Sequence, residues 1–365
     1  MVKNMNWFAG STFRIWWDFL ILNKQILTPN NWLKIIFISL QAFRNSRVEK
    51  KEAILLADSD VNSVELKDPI FILGHWRSGT SHLHNILVND NNFNFPTLLQ
   101  VTFPNTFLAI QDKMKSQNAS HSNRRPMDNM QISIQSPGEE EVAVWSMCSI
   151  SSIGNRLLQN KEDFYDKFLT FEDTTKDEFS KWRSSFIYFL KKITLNDKRQ
   201  LLLKSPEHTA RIKLLLEIFP NAKFINIRRN PLDVFQSTKH LYDKVIKPSY
   251  FHKVSNNHLV DRILLVYKKM YESYFQDIHL ISEGNFVDIS YENLVAQPML
   301  TVEKIYGDLD LVLLKSTKDR IESYINPHNK YKKNEYKDID PKLKERVYTE
   351  WNQNFRNWDY DKKTI

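Results

Sequence analysis

A short apolar run that ends in a glycine-containing loop constrains the fold of this chain more than any other feature. Residues 69–81 read PIFILGHWRSGTS, with glycines at Gly74 and Gly79. The pattern predicts a buried strand, a tight turn and a helix that begins at Ser81. Such a loop points backbone N–H groups and the positive end of a helix dipole at one place, which suits a phosphate group.

The loop has the spacing of the ATP-binding loop G-x-x-x-x-G-K-[ST], with one departure. Thr80 stands where that motif has the lysine that reaches the outer phosphates of ATP. Arg77 supplies a cation from inside the loop instead. The departure argues against ordinary ATP hydrolysis, while it leaves phosphate binding in place.

A second strand, turn and helix are predicted in the stretch KFINIRRNPLDVFQS, which begins at Lys223. Asn230 is suited to cap the helix, and Pro231 fits its first position. Arg229 is expected at the carboxyl end of the strand, and Ser237 lies about two helical turns further on. Both side chains can reach one further phosphate, so the two loops together predict a nucleotide with phosphates at both ends of its ribose.

The two loops resemble those of the sulfotransferases that use 3′-phosphoadenosine-5′-phosphosulfate (PAPS). In that family an Arg-Ser-Gly-Thr loop binds the 5′-phosphosulfate, and an arginine and a serine eight residues apart bind the 3′-phosphate. Residues 201–208 and 286–295 extend the resemblance over roughly residues 69–310. It implies that the ligands of the 5′ group are Arg77, Ser78, Gly79, Thr80 and Ser81, that those of the 3′-phosphate are Arg229 and Ser237, and that Tyr291 contacts the adenine.

The resemblance implies an enzyme that transfers a sulfuryl group from PAPS to a hydroxyl of a small-molecule, sterol or lipid, or carbohydrate acceptor. Adenosine 3′,5′-bisphosphate (PAP) is then released. The sulfuryl group carries less charge than a phosphoryl group, so positioned cations can suffice and we expect no metal requirement.

Lys204 ends an apolar strand and is the candidate for stabilising the bridging oxygen, with a structural ion pair as the alternative. His82 and His84 lie two apart on a predicted helix and diverge too far to share a metal.

The general base that an acceptor hydroxyl needs is left open by the sequence. Family members with a Lys-x-His pattern use that histidine, but here His208 follows Lys204 by four residues. His208 is expected in the first turn of a helix capped by Ser205, with Pro206 at its first position.

Glu140 and Glu141 are rival bases, since other branches of the family use a glutamate. Ser136 and Glu139 before them form a predicted capping box, and the triplet of glutamates is alternatively only first-turn charge on a helix. His75, in the first loop, is a third candidate for the base or for acceptor contact. The family's C-terminal Arg-Lys-Gly element is absent, and the basic stretch at residues 330–333 is a candidate replacement.

The predicted order of strands and helices indicates an α/β, P-loop-type three-layer fold with a central parallel sheet flanked by helices. Residues 69–326 form the predicted sulfotransferase domain, after an N-terminal helical extension at 1–68 and before a C-terminal helical tail at 327–365. Ligands of such sheets bind at the carboxyl ends of the strands. Gly74, Lys204, Arg229 and Tyr291 are all expected there. Residues 46–68 are predicted to be a charged connection, and residues 112–136 an exposed loop.

The aromatic N-terminal stretch, residues 7–43, is open to two interpretations. Its longest apolar run, residues 32–43, is about 12 residues, whereas a helix that spans a bilayer needs roughly 20. The first interpretation is a pair of helices packed on the domain. The second is a hairpin that faces a membrane or gates a lipophilic acceptor.

The amino-acid composition narrows the remaining classes of function. The chain has 51 basic and 43 acidic residues, for a net charge of +8, but lacks a compact basic and aromatic patch or a nucleic-acid motif, so no nucleic-acid partner is expected. Its one cysteine, Cys148, rules out an intramolecular disulfide and favours a reducing, cytoplasmic location. The rival functions are a P-loop kinase or NTPase and a non-catalytic nucleotide-binding protein. The sequence does not determine the oligomeric state or the acceptor.

Overall fold

Two compact units make up the chain. A computed structural model describes residues 6–57, 59–118, 123–125, 130–158, 161–328 and 339–360. The helical unit comprises Met1–Leu66, Pro96–Lys198 and Val245–Val254, and the sheet unit comprises Lys67–Phe95, Arg199–Lys244 and Ser255–Ile365.

The strands and helices have the following bounds, in chain order. The strands are β1 (Ile70–Leu73), β2 (Phe93–Asn94), β3 (Asn123–Arg124), β4 (Gln131–Ile132), β5 (Gln200–Leu203), β6 (Lys223–Arg228) and β7 (Phe286–Ser290). The helices are α1 (Phe13–Leu22), α2 (Trp32–Leu55), α3 (Thr80–Leu87), α4 (Leu98–Thr102), α5 (Phe107–Asn118), α6 (Glu140–Cys148), α7 (Glu162–Thr170), α8 (Lys176–Thr194), α9 (Ile212–Ile218), α10 (Pro231–Leu241), α11 (Asn256–Asp277), α12 (Tyr291–Ala296), α13 (Pro298–Asp308), α14 (Lys315–His328), α15 (Pro341–Glu350) and α16 (Asn352–Asn357).

The sheet unit is built on a five-stranded parallel sheet with the strand order β2-β5-β1-β6-β7. All four residues of β1, its central strand, are fully buried, because helices cover both faces. Ile70 and Ile72 pack on one face with residues of α3, α12, α13 and α14. Phe71 points to the other face, where it stacks on Phe224 with 5.6 Å between ring centroids. The predicted α/β fold with a parallel sheet flanked by helices is confirmed.

The strands end where the sequence predicts. Gly74, Lys204, Arg229 and Tyr291 are each the first residue after a strand, namely β1, β5, β6 and β7. Since the strands are parallel, these four residues lie along one edge of one sheet. The prediction that they share an edge is confirmed.

The helical unit departs from the prediction in two places. Residues 46–55 continue α2 instead of connecting to β1, because Glu52 is buried and pairs with Lys192 of α8. Glu52 also accepts a hydrogen bond from the backbone N–H of Ala109, 3.0 Å away. The predicted loop at 112–136 is also wrong in part, since α5 extends to Asn118 and the pair β3–β4 follows it.

The described residues of the C-terminal tail pack within the sheet unit. Trp351, between α15 and α16, lies flat on Tyr267 of α11 with 3.6 Å between ring centroids, and its indole N–H donates to the Leu264 carbonyl. Phe355 and Trp358 are buried as well. These helices are therefore held by aromatic burial.

Candidate active site

The glycines of the first loop are required by its geometry. Gly74 and Gly79 have φ of 137° and 104°, values that other residues rarely adopt. A Cβ on Gly79 would lie 2.3 Å from Cδ2 of Tyr291, and one on Gly74 would lie 2.7 Å from the Ile227 carbonyl oxygen. The loop is thus pressed against β6 and the start of α12. Its helix, α3, begins at Thr80, one residue before the predicted start.

Two arginines converge beside this loop. Arg77, itself in the left-handed region at φ 74°, donates from Nε to Ser237 Oγ at 2.9 Å. Arg229 donates to the Arg77 carbonyl at 3.2 Å, and its guanidinium lies 4.5 Å from the centre of the Tyr291 ring. Residues predicted to bind opposite ends of a nucleotide are therefore in direct contact. The acid nearest to them in this network, Asp233, pairs with Arg229 at 3.1 Å. A cluster of this kind attracts an anion.

The residues that cap α10 determine where Ser237 lies. Asn230 accepts a hydrogen bond from the Leu232 N–H, and Pro231 is the first residue of the helix. Ser237 then falls about two turns along α10, where it is buried and meets Arg77. Both capping predictions for this helix are confirmed.

Lys204 reaches the same loop from β5. It is only 3% exposed, and its Nζ lies 3.4 Å from Ser81 Oγ in the first turn of α3. A buried lysine side chain therefore lies beside the loop, at the first turn of α3.

The family comparison decides the class of protein. Residues 69–314, more than half of the chain, match the model of a sulfotransferase family. This chain belongs to the sulfotransferase family. It is an enzyme that transfers sulfuryl groups. The family match therefore favours sulfuryl transfer over the two rival functions, a P-loop kinase or NTPase and a non-catalytic nucleotide-binding protein.

Individual relatives agree with the family. The chain is 28% identical over 357 residues to the omega-hydroxy-beta-dihydromenaquinone-9 sulfotransferase Stf3 of Mycobacterium tuberculosis and to that of Mycobacterium bovis, covering 98% of this chain and 92% of each relative. Sulfotransferase STF1 of Mycobacterium tuberculosis has a similar structure, with a TM-score of 0.66 at 17% identity, over 93% of this chain and 91% of that one. STF9 of Mycobacterium avium has a TM-score of 0.64 at 18% identity, over 83% and 80%. These two structures support the fold.

The structure of this sulfotransferase places His208 in the core beneath the sheet. The residue lies in a 3-10 helix, Pro206–Ala210, and is fully buried, with its ring edge-on to Phe71 at 5.2 Å. Ser205 is the N-cap residue of this helix and Pro206 occupies the first position, as predicted, but the Ser205 side chain makes no capping hydrogen bond.

His75 is buried in the loop of the sheet unit. Its Nδ1 lies 2.8 Å from the Trp76 carbonyl oxygen, and its ring packs on Tyr267 at 4.9 Å. Because a carbonyl can only accept, Nδ1 is the donor in this contact.

Glu140 and Glu141 belong to the helical unit. They are the first two residues of α6, both are buried, and Glu141 accepts a hydrogen bond from Ser151 Oγ at 2.6 Å. The predicted capping box is wrong, since Glu139 is the N-cap without a side-chain bond and the Ser136 hydroxyl accepts from Ser133 instead. Backbone hydrogen bonds explain the difference: the Ser136 carbonyl accepts from Leu98 and the Gly138 N–H donates to the Pro96 carbonyl, so these residues stay outside α6.

His84 is a residue of this region that sequence reasoning considered only as a metal ligand. It lies one turn into α3 and is 1% exposed. Burial, with a smaller effect from the nearby Lys204 charge, lowers the pKa of His84 to about 3. The imidazole is therefore neutral beside the Lys204 cation. The sequence signal that could have identified this pair is a lysine directly after β5 together with a histidine one turn into α3.

Within the residues that the structure describes, no group of three or more His, Cys, Asp or Glu side chains is placed to hold a metal ion. None of the helices in the described part combines the length and apolar composition needed to cross a membrane. Residues 330–333 lie outside the described residues.

Proposed function

We propose that this enzyme transfers the sulfuryl group of PAPS to the hydroxyl of a lipophilic acceptor and releases PAP. The observation that carries the proposal is the contact of Arg77, Arg229 and Ser237 at the edge where Lys204 also ends its strand. A nucleotide with phosphates at both ends needs cations from two loops, and this edge supplies them.

The roles proposed for the loop follow from its geometry. The backbone N–H groups of residues 78–81 and the dipole of α3 would bind the 5′-phosphosulfate, with the hydroxyls of Ser78, Thr80 and Ser81 close by. Gly79 lets the Tyr291 ring approach the loop, where it would contact the adenine. Arg229 and Ser237 would bind the 3′-phosphate, and Arg77 joins the two anion sites.

Lys204 would act on the leaving group. The acceptor oxygen attacks sulfur, and the bond from sulfur to the bridging oxygen breaks, so negative charge moves onto the 5′-phosphate of PAP. An ammonium beside the loop stabilises that charge as it develops. The cations of the chain supply this stabilisation in the proposed mechanism, so we propose no metal requirement.

Four residues stay candidates for the base that takes the hydroxyl proton: His208, His75, Glu140 and Glu141. Replacing the true base would lower kcat by about 10²- to 10⁴-fold while PAP affinity is retained. Replacing a residue that only packs would lower the melting temperature and leave kcat of the folded enzyme near that of the parent. Each candidate is therefore tested by measuring kcat, PAP affinity and melting temperature for its glutamine variant.

A lipophilic acceptor is supported by the relatives and by the N-terminal surface. Stf3 is named for a hydroxylated menaquinone, and the match to it runs through nearly the full length of both chains. We propose that the acceptor here is likewise a hydroxyl on a long apolar molecule. A cytoplasmic, membrane-associated location fits such an acceptor.

The test uses sulfur-labelled PAPS with separate lipid and aqueous extracts of the source cells. We expect label in a lipid species, and its loss by at least 100-fold in Arg77→Ala and Arg229→Ala. Arg183→Ala, an exposed arginine on α8, is the matched control. Label only in an aqueous product would refute the lipophilic acceptor, whereas absence of both label transfer and PAP binding would refute the proposed function.

A further inference from the structure

The two N-terminal helices expose an unusual amount of apolar side chain. More than half of the large apolar side chains that are exposed in the described part of the chain lie within residues 13–43, under a tenth of its length. Soluble proteins seldom leave such side chains together at the surface unless the surface meets a partner. We name this surface the α1–α2 face.

The exposed apolar side chains in the N-terminal half of α2 follow one stripe. They recur three or four residues apart, which places them on the same side of the helix: Trp32, Leu33, Ile36, Phe37, Leu40 and Phe43. Leu33 is 85% exposed and Phe37 is 62% exposed. The opposite side of α2 is buried, with Ile38, Ala42 and Asn45. The helix is therefore packed on one side and open on the other.

Helix α1 extends the stripe into a continuous surface. Phe13 contacts Phe43 edge-on at 6.4 Å and stacks on Trp17 at 5.9 Å. Ile21 and Leu22, one turn further along α1, are also exposed. The surface thus spans two helices, with tryptophans Trp17 and Trp32 exposed at 51% and 60%.

The stripe changes from apolar to basic after Phe43, and two more exposed apolar side chains, Ile54 and Leu55, follow the cations at the end of α2. The same side of the helix carries four exposed cations after Phe43: Arg44, Arg47, Lys50 and Lys51. The Arg47 guanidinium lies 4.5 Å from the centre of the Phe43 ring, so the two parts are continuous. The only acid of this stretch before Glu52, Glu49, is half-buried away from the stripe. Apolar and aromatic side chains followed by cations match the depth profile of an anionic membrane surface.

We propose that the α1–α2 face binds the surface of a bilayer that contains anionic phospholipids. The apolar part, about 18 Å of helix at 1.5 Å per residue, would enter the interface with its N-terminal end deepest. Arg44, Arg47, Lys50 and Lys51 would meet the phosphate layer. The proposal goes beyond the proposed function and holds whichever acceptor the enzyme uses.

A second copy of the chain fits this face less well. Parallel α2 helices would place the four cations of one copy against the four of the other. Antiparallel helices would place those cations against the partner's apolar part. Either arrangement leaves charge without a counter-charge, whereas lipid phosphates supply one.

The experiment is flotation of the full chain with vesicles of phosphatidylglycerol and phosphatidylcholine, and with vesicles of phosphatidylcholine alone. We expect the protein to float with the anionic vesicles. Leu33→Glu with Phe37→Glu should weaken binding by at least tenfold. Leu300→Glu with Val312→Glu, two equally drastic changes at exposed apolar positions of the sheet unit, should leave it unchanged. Arg44→Gln with Lys51→Gln should weaken anionic binding by about fivefold per cation.

Two results would overturn the proposal. One is a parent protein that does not float with anionic vesicles. The other is a concentration-dependent dimer that Leu33→Glu with Phe37→Glu abolishes without any vesicle binding. Melting temperature and PAP binding, measured on the same samples, show that the variants are folded and separate this outcome from failure of the proposed function.

Discussion

Gly79→Ala is the substitution whose effect the structure determines most closely. The new Cβ would lie 2.3 Å from Cδ2 of Tyr291, in a backbone conformation of φ 104°. The left-handed conformation costs a residue with a Cβ about 1–2 kcal/mol, and overpacking of a buried contact costs about 1–3 kcal/mol. We therefore expect the free energy of unfolding to fall by about 2–5 kcal/mol.

The substitution should also weaken PAP binding. The Tyr291 ring, which is 8% exposed, can avoid the new methyl group only by moving, and the Arg229 guanidinium lies against it at 4.5 Å. Loss of one hydrogen bond to a charged phosphate costs about 1.5–3 kcal/mol. The expected loss of PAP affinity is then about 10- to 100-fold, measured by calorimetry below the melting temperature of the variant.

Substitutions at two other glycines separate the cost of the backbone conformation from the cost of the overlap with Tyr291. Gly284 has φ 78° but nothing within 4 Å of its Cβ position, so Gly284→Ala should cost only the backbone term, about 1–2 kcal/mol. Gly307 has neither constraint and lies in α13, so Gly307→Ala should stabilise the protein by about 0.4–1 kcal/mol. Equal destabilisation by Gly79→Ala and Gly284→Ala, with PAP affinity retained, would refute the argument from the Tyr291 contact.

Two further predictions concern Ser237 and His84. Ser237→Ala removes the acceptor of Arg77 Nε and one predicted 3′-phosphate ligand, so PAP affinity should fall about tenfold, and by more than the affinity for adenosine 5′-monophosphate, which lacks the 3′-phosphate. Equal losses for both nucleotides in calorimetry would place Ser237 elsewhere, and Ser249→Ala is the control for loss of a buried hydroxyl. Because burial depresses the pKa of His84 to about 3, its stabilising contribution is present above the ordinary histidine pKa of about 6.5 and is lost as pH falls toward 3, with a slope of up to about 1.4 kcal/mol per pH unit. His84→Leu should reduce that slope in denaturant unfolding measured from pH 7 to pH 4, and an unchanged slope would show that other groups cause it.

The sequence located the edge of the sheet because the signals there are local. Four short strands could be recognised from residues that end just before Gly74, Lys204, Arg229 and Tyr291. Parallel strands end at a common edge. Asn230 and Pro231 likewise act within one turn of helix. These predictions held because each depends on a few neighbouring residues and on one general rule of topology.

Predictions failed where distant segments compete for the same backbone. Ser136 and Glu139 have the spacing of a capping box, but the hydrogen bonds to Pro96 and Leu98 hold residues 136–138 outside the helix, so α6 starts at Glu140. Residues 46–68 were predicted to be a charged connection, although residues 46–55 continue α2, because one acid of this stretch, Glu52, has its partner 140 residues away in Lys192. These partners, distant in sequence, cannot be predicted from the residues that neighbour Ser136 or Glu52.

By itself the sequence determined the class of fold, the order of the two loops predicted to bind phosphate and the residues that follow its strands. Only the tertiary structure decided that Arg77 and Ser237, from different loops, bond to each other, and that the Tyr291 ring fills the space a side chain at position 79 would need. It also decided which apolar residues of α1 and α2 stay exposed. Local propensity and strand direction follow from neighbouring residues, whereas a side chain's partner and burial depend on where the rest of the chain passes.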